Sequence, residues 1–228
     1  MIAIIIYGPP GSGKGTQAKL LADKFGLIHF DTGKYIEQVV HAPANRKDKI
    51  IQRERKLFDS GILCEPDWVL KIVDEKTEKL AEAGFGIVFS GSPRTFYESF
   101  GDEKQEGLID VLEKHYGKKN IFIFKIDISA QNSIKRNGNR LLCSVCGIQL
   151  MATFKDVAKL KTCPFCGGKL YRRTLDKPET IKIRLKEYRE RTLPIAAELK
   201  KRGYKIIRIN GEPLPAKVSQ SILERMPH

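Results

Sequence analysis

Apolar residues in this chain recur in two ways. Short runs with little polar interruption, Ile2–Tyr7 (IAIIIY), Leu27–Phe30, Phe85–Phe89 (FGIVF) and Ile121–Ile128 (IFIFKIDI), predict strands buried on both faces, and Lys205–Ile209 (KIIRI) predicts a last one. Between them, apolar positions fall at helical intervals. Gln17–Lys24 predicts a helix, and Tyr35–Ser60 is polar with apolar residues at helical spacing. Glu65 and Pro66 open a longer helix with Trp68, Val69, Ile72, Val73 and Leu80 on one face and Gly84 beyond its end. Pro178–Arg202 predicts one helix, striped by Ile181, Leu185, Tyr188, Thr192 and Leu199, and Ala216–Met226 a closing one. Strands alternating with helices imply an α/β three-layer fold with a mainly parallel central sheet. The segment Leu141–Tyr171 breaks this rhythm and reads as a small inserted module.

Composition changes the picture in one respect, charge. The 228 residues carry 41 Lys+Arg against 27 Asp+Glu, a formal net charge of +14. Much of the excess lies between Lys169 and Arg208, where 14 basic residues face 5 acidic ones. Such a balance favours polyanionic partners, a demand that phosphate-rich small molecules meet as well as nucleic acid does. A zinc-ribbon nucleic-acid-binding ATPase is the competing class. The basic run lacks the interleaved aromatic residues of a base-stacking platform, which speaks against it. No apolar run approaches the ~20 residues of a membrane span. The opening Met1–Tyr7 is too short for a secretory leader and passes straight into a glycine motif, so a cytoplasmic protein without membrane association is expected.

The glycine motif is GPPGSGKGT, Gly8–Thr16, placed between a predicted strand and a predicted helix. Glycines there let backbone N–H groups surround phosphates, and the helix N-terminus adds partial positive charge. Gly11, Ser12, Gly13, Lys14, Gly15 and Thr16 are therefore candidate ATP-binding residues. Lys14 can reach the β- and γ-phosphates, and the Thr16 hydroxyl can serve the shell of a Mg2+ ion. Gly15 separates the lysine from the hydroxyl residue, a small departure from the general pattern.

Four of the five cysteines form two pairs, Cys143-x2-Cys146 and Cys163-x2-Cys166, 16 residues apart. That spacing points to a closed, structural Zn2+ site that folds a segment too small to bury its own core. Two redox-active pairs are the alternative, but no helix N-terminus is evident to lower a thiol pKa. Cys64 stands apart and reads as a small apolar residue.

Beyond these two sites, a series of further motifs resembles the adenylate kinase family, specifically its zinc-containing long-lid members, through nearly the whole chain. The series runs Asp31-Thr32-Gly33, Gly61-Ile-Leu-Cys-Glu-Pro, Ser90-Gly-Ser-Pro-Arg-Thr, Arg136-x3-Arg140 before the cysteines, Arg173, Asp176-Lys-Pro-Glu-Thr180, Arg184-Leu-x2-Tyr188 and Asn210-Gly211. The resemblance implies a P-loop NTPase core (1–31, 70–135 and 177–228), an inserted nucleoside-monophosphate segment (32–69) and a four-cysteine zinc-ribbon lid (136–176). It implies reversible, Mg2+-dependent transfer from ATP to AMP, giving two ADP, by a monomer. Lys14, Arg94, Arg136, Arg140, Arg173 and Arg184 would surround the transferring phosphoryl group, with Arg136 and Arg140 on the ATP side. Thr32, Gly33, Ile62, Leu63, Cys64, Gly91, Arg94, Glu98, Arg173 and Arg184 would hold the monophosphate.

Several positions depart from the family pattern. The aspartate of the family's DGFPRT element is Ser90 here and the following aromatic is Ser92. In the family's STGDxxR, an acid stands where this chain has Lys34 and an arginine where it has Glu37. Leu175 occupies a position expected to be acidic, and Glu98 replaces the glutamine that reads adenine. A carboxylate only accepts hydrogen bonds, which matches the N1–H and N2–H donors of guanine. The departures leave three expectations to compare: plain AMP use, a shifted base preference such as GMP, or ATP binding with weakened turnover.

Overall fold

The computed structural model describes residues 1–152 and 155–226. In chain order its elements are β1 (Ala3–Tyr7), α1 (Lys14–Phe25), β2 (Ile28–Phe30), α2 (Thr32–His41), α3 (Lys49–Ser60), α4 (Pro66–Glu82), β3 (Ile87–Phe89), α5 (Phe96–Phe100), α6 (Leu108–Tyr116), β4 (Ile121–Asp127), α7 (Ala130–Gly138), β5 (Arg140–Cys143), β6 (Gln149–Met151), α8 (Lys155–Ala158), β7 (Leu170–Tyr171), α9 (Pro178–Glu187), α10 (Ile195–Lys201), β8 (Ile206–Asn210) and α11 (Pro215–Leu223).

Five strands form a parallel sheet in the order β2-β3-β1-β4-β8. Successive side chains of a strand point to opposite faces, so β1 feeds both cores. Ala3, Ile5 and Tyr7 join Ile87, Phe89, Ile121 and Ile123 beneath α4, α6 and α10. Ile4 and Ile6 join Val88, Phe124 and Ile126 beneath α1 and α11. Both faces are thus covered, which is why β1 shows no polar alternation. Phe89 and Phe124 are fully buried, and truncating either to alanine costs about 3–5 kcal/mol. The chain builds to one side of β1 through β2 and β3, then crosses to β4 on the other. Ligands of open α/β sheets bind at such a reversal, at the carboxyl ends of the strands.

Three sequence expectations are modified. The run at Leu27–Phe30 pairs only as Ile28–Phe30; it has β3 as its single neighbour and Ile28 is 37% exposed, so it is an edge strand. The strand expected at Phe85 begins at Ile87, because the chain is still leaving α4 through Gly84 in the left-handed region (φ 81) and Phe85 stays exposed. The helix expected over Pro178–Arg202 is not continuous. A five-residue π-helical turn at Tyr188–Thr192 and Pro194 divide α9 from α10. The inward stripe of α4 is Val69, Leu70, Val73, Thr77 and Ala81, flanked by half-buried Trp68, Ile72 and Leu80. Buried Thr77 is satisfied by its bond to the Val73 carbonyl.

The break at Leu141–Tyr171 is an antiparallel three-stranded sheet, order β6-β5-β7, separate from the main one. Among the described residues no helix is long and apolar enough to cross a membrane.

Candidate active site

At the end of β1 the chain turns through Gly8–Gly13 into α1. Gly13 is the residue before the helix and lies at φ 92, a left-handed conformation that a side chain disfavours. No side chain caps α1, which leaves its first-turn N–H groups available to an anion. The loop is braced from α7, where the Ser133 hydroxyl donates to the Pro10 carbonyl at 2.6 Å. Lys14 curls back on the loop, its Nζ donating to the Gly8 and Pro9 carbonyls at 2.7 and 2.9 Å. Burial, then the charges of Arg94, Arg184 and Arg140, hold the Lys14 ammonium well below its ordinary pKa, with Asp31 opposing them.

This loop floors a cleft of about 730 Å³. Gly11, Ser12, Gly13, Lys14, Gly15 and Thr16 line it from below, with Gly33, Ile62, Leu63, Gly91, Arg94, Arg136, Arg140, Arg173 and Arg184 around them. A second hollow of about 50 Å³ shares Gly33, Ile62, Leu63, Gly91 and Arg94 with the first and adds Thr32, Cys64 and Glu98. The nucleotide-site residues expected from sequence therefore converge on two adjoining chambers.

The arginines reach the cleft from β5, α7 and α9 and from the loops that carry Arg94 and Arg173. Arg140 opens β5 and meets Asp176 side-on, Nε at 3.0 Å and Nη2 at 2.6 Å; the same carboxylate lies 3.7 Å from Arg184 on α9. One buried acid thus gathers two guanidiniums. Arg136, near the end of α7, donates to the carbonyls of Gly211 and Glu212 at 2.8 Å each. Arg94 has no acidic partner among the described residues, and its carbonyl is fixed by the Thr192 hydroxyl at 2.8 Å. Burial, then the charges of Arg94, Arg140 and Arg173, pushes Arg184 down to about 9. The cluster holds like charges together, a repulsion that a polyanion in the cleft would relieve.

The departing positions have partners of their own. Glu37 on α2 accepts from Arg173 Nη2 at 2.8 Å, so the reversed charge is paired across the cleft. Lys34, one turn earlier, points the same way: its Nζ lies 3.4 Å from where a Cβ on Gly147 would stand. Ser90 Oγ lies 2.8 Å from His29 Nε2, and burial lowers the pKa of that imidazole. Glu98 is buried and serves α5. Its carboxylate accepts from the Arg94 backbone N–H at 2.9 Å and from the Thr95 hydroxyl at 3.1 Å, while the Glu98 N–H donates to Thr95 Oγ1. Thr95 thus caps α5, and the Glu98 carboxylate reaches back to the N–H one residue before the cap, which qualifies the expectation that Glu98 is free to read a base. Desolvation raises the Glu98 pKa, opposed by the Arg94 backbone N–H and guanidinium.

Sequence reasoning missed Gln149 and Met151, which alternate along β6 into the cleft, and also Tyr188, Thr192, Leu214 and Pro215. Period-2 spacing was the only signal for the first pair; the others depend on how distant loops meet.

Cys143, Cys146, Cys163 and Cys166 cluster with their sulfurs within 4.8 Å of one another. Cys143–Cys166 is 3.4 Å and Cys146–Cys163 3.7 Å. Four thiolates about 2.3 Å from one tetrahedral metal would stand roughly 3.8 Å apart, so the set fits a zinc ion. The two knuckles match: the N–H of Gly147 donates to the Cys143 carbonyl and that of Gly167 to the Cys163 carbonyl, at φ 69 and 72. Against desolvation, the backbone N–H groups of Cys146 and Val145 hold the Cys143 thiol down at about 6, toward the thiolate a metal needs.

A parallel sheet, an uncapped glycine-loop helix at its carboxyl edge and an arginine-lined cleft above define a P-loop phosphotransferase. The family model for adenylate kinase matches residues 6–204. The adenylate kinase of Caldicellulosiruptor bescii is 29% identical over 223 residues, 98% of each chain. That of Methanothrix thermoacetophila is 33% identical over 208 residues, covering 91% of this chain and 90% of its own. That of Novosphingobium aromaticivorans is 32% identical over 211 residues, 91% of each. The chain belongs to the adenylate kinase family and is a nucleoside monophosphate kinase of that type.

Proposed function

We propose that the larger chamber holds ATP with Mg2+, the smaller one AMP, and that the cleft transfers the γ-phosphoryl group between them to give two ADP. The observation that carries this reading is the convergence of Lys14 and of Arg94, Arg140, Arg173 and Arg184 between the glycine loop and the small chamber. An oxygen of the acceptor phosphate attacks the γ-phosphorus, and the bond to the β–γ bridging oxygen breaks. Such a transfer needs positioning and charge neutralisation more than covalent help. Guanidinium groups suit it because their planar forks meet phosphate oxygens two at a time. Lys14, released from its loop carbonyls, would follow the β- and γ-phosphates. Thr16 would hold the Mg2+ shell; bound there, the cation neutralises phosphate charge. Arg136 and Arg140 would serve ATP, and Arg94, Arg173 and Arg184 the transferring group. Segments 32–69 and 136–176 are read as the two covers, which exclude water when they close. Cys143, Cys146, Cys163 and Cys166 would hold a structural Zn2+ that keeps the second cover folded. The protein is read as a cytoplasmic monomer.

A second reading is a base preference shifted toward GMP. What favours it is Glu98 lining the small chamber with lone pairs to spare beyond its two capping bonds, and only acceptors to offer. Initial rates with AMP, GMP, CMP and UMP at saturating ATP decide between them. AMP favoured at least tenfold removes the second reading, GMP favoured removes the first, and ATP binding without any diphosphate product removes both.

A further inference from the structure

P-loop phosphotransfer sites pair the hydroxyl of the glycine loop with a strand-end aspartate to hold the nucleotide's magnesium. Here the residue that follows β3, the strand beside the glycine-loop strand, is Ser90, which has no charge. The sheet register offers a replacement. β2 and β3 run in parallel with Ile28 beside Ile87, His29 beside Val88 and Phe30 beside Phe89. The next residues, Asp31 and Ser90, therefore leave the sheet side by side at its carboxyl edge. The two loops are fused there: Ser90 N–H reaches the Phe30 carbonyl at 3.5 Å, and a Cβ on Gly91 would stand 3.2 Å from Gly33 N.

Asp31 lines the cleft together with Lys14, Thr16 and Ser90. Its Oδ1 accepts from the Lys34 N–H at 3.1 Å, and Oδ2 has no hydrogen-bond partner among the described residues. Of the other carboxylates on the cleft wall, Glu187 has its charge paired with Arg191, its Oε2 also taking the Leu63 N–H, and both oxygens of Glu212 are taken, by the Ser129 N–H and the Asn132 amide.

We propose that Asp31 is the carboxylate that holds the nucleotide's divalent cation through its water shell, one strand over from Ser90, with the Thr16 and Ser90 hydroxyls beside it. This rests on reading the cleft as a metal–ATP site. It has a consequence for the fold, because Asp31 is also the cap of α2. The same side chain would join the cation to the helix that carries Lys34 and Glu37.

Mn2+ is the probe. Free Mn2+ is counted by its EPR signal while the protein, with and without ATP, is titrated, and metal-free ATP affinity is measured by calorimetry. Asp31→Asn removes the charge and keeps a good helix cap. It is expected to weaken Mn2+ binding to the protein–ATP complex about tenfold or more and to leave metal-free ATP affinity within threefold. Asp31→Asn combined with Ser90→Asp is expected to restore Mn2+ affinity, and the selective loss of Mn2+ binding at unchanged metal-free ATP affinity in Asp31→Asn is what a merely structural role for Asp31 would not give. Unchanged Mn2+ affinity in Asp31→Asn, or no recovery in the double variant, overturns the assignment while leaving the ATP reading intact. Absence of ATP binding by the unaltered protein overturns the ATP reading and the assignment with it.

Discussion

Arg173 and Glu37 meet at 2.8 Å across the mouth of the cleft, joining the chain that leaves the cysteine module to helix α2. Arg173 lines the cleft, so on the proposed reading an incoming acceptor phosphate and Glu37 would compete for one guanidinium. A half-exposed pair of this kind is worth roughly 0.5–1 kcal/mol. Glu37→Gln is therefore expected to lower KM for the monophosphate about three- to fivefold with kcat little changed. A rise in KM would mean that the pair helps the acceptor by holding the covers together. Steady-state kinetics over a range of monophosphate concentration is the check.

Lys14→Met removes the ammonium from the loop floor without adding bulk. Loss of one group aimed at developing phosphate charge typically costs about 10²–10³ in kcat. Far-UV circular dichroism is expected to stay unchanged, because the bonds of Lys14 to Gly8 and Pro9 lie within one loop. A variant that keeps more than a tenth of the activity would rule Lys14 out of the transfer.

Elemental analysis is expected to find about one zinc per chain, lost in Cys163→Ser. Hydrogen exchange should then rise in β5, β6 and β7 while β1 and β4 stay protected, because the cysteine module forms its own sheet. Each 1 kcal/mol lost would lower Tm by about 2–4 °C in a chain of this size. Full metal-free protection of β5–β7 would show that the module folds without its ion.

Asp74 on α4 contributes a pH dependence unrelated to the cleft. Burial, then the Glu78 carboxylate, pushes its pKa up to about 7. A carboxyl whose folded pKa exceeds its unfolded one binds protons on folding, so its contribution is complete below about pH 4 and is lost as pH rises to about 7. The side chain is only partly withdrawn from water, so about 1–2 kcal/mol is the expected size. Asp74→Asn should flatten the stability curve between pH 4 and 7 in urea titrations. An identical slope in both proteins would exclude Asp74 as its source.

The glycine loop and the cysteine pairs were legible because each is a local pattern: its geometry is set by residues a few positions apart. The central strands were legible for a similar reason, since two covered faces leave unbroken apolar runs such as Ile2–Tyr7. What the sequence left open is pairing over distance. Glu37 reads as a lost arginine until Arg173, 136 residues away, is found against it. Ser90 reads as a lost acid until the β2–β3 register sets Asp31 beside it. Glu98 illustrates a local signal overlooked: Thr95 followed three residues later by Glu98 is a helix-start signature that spends part of a carboxylate assigned to substrate. The edge position of β2 and the division of the Pro178–Arg202 helix have no sequence mark of comparable strength.

That division sets a phase. A π-helical turn accommodates one extra residue in a helix, and one residue is about 100° of rotation. Before Tyr188–Thr192, α9 aims Arg184 into the cleft; after it, α10 lays Ile195 and Leu199 into the core. Within the turn, Thr192 donates to the Arg94 carbonyl. Deleting one residue there would smooth the helix and swing its second half by a quarter-turn or more, so that arginine and core could no longer both be aimed correctly. The irregular turn works as a gear tooth, fixing the angular setting between the cleft-facing side of α9 and the core-packing side of α10.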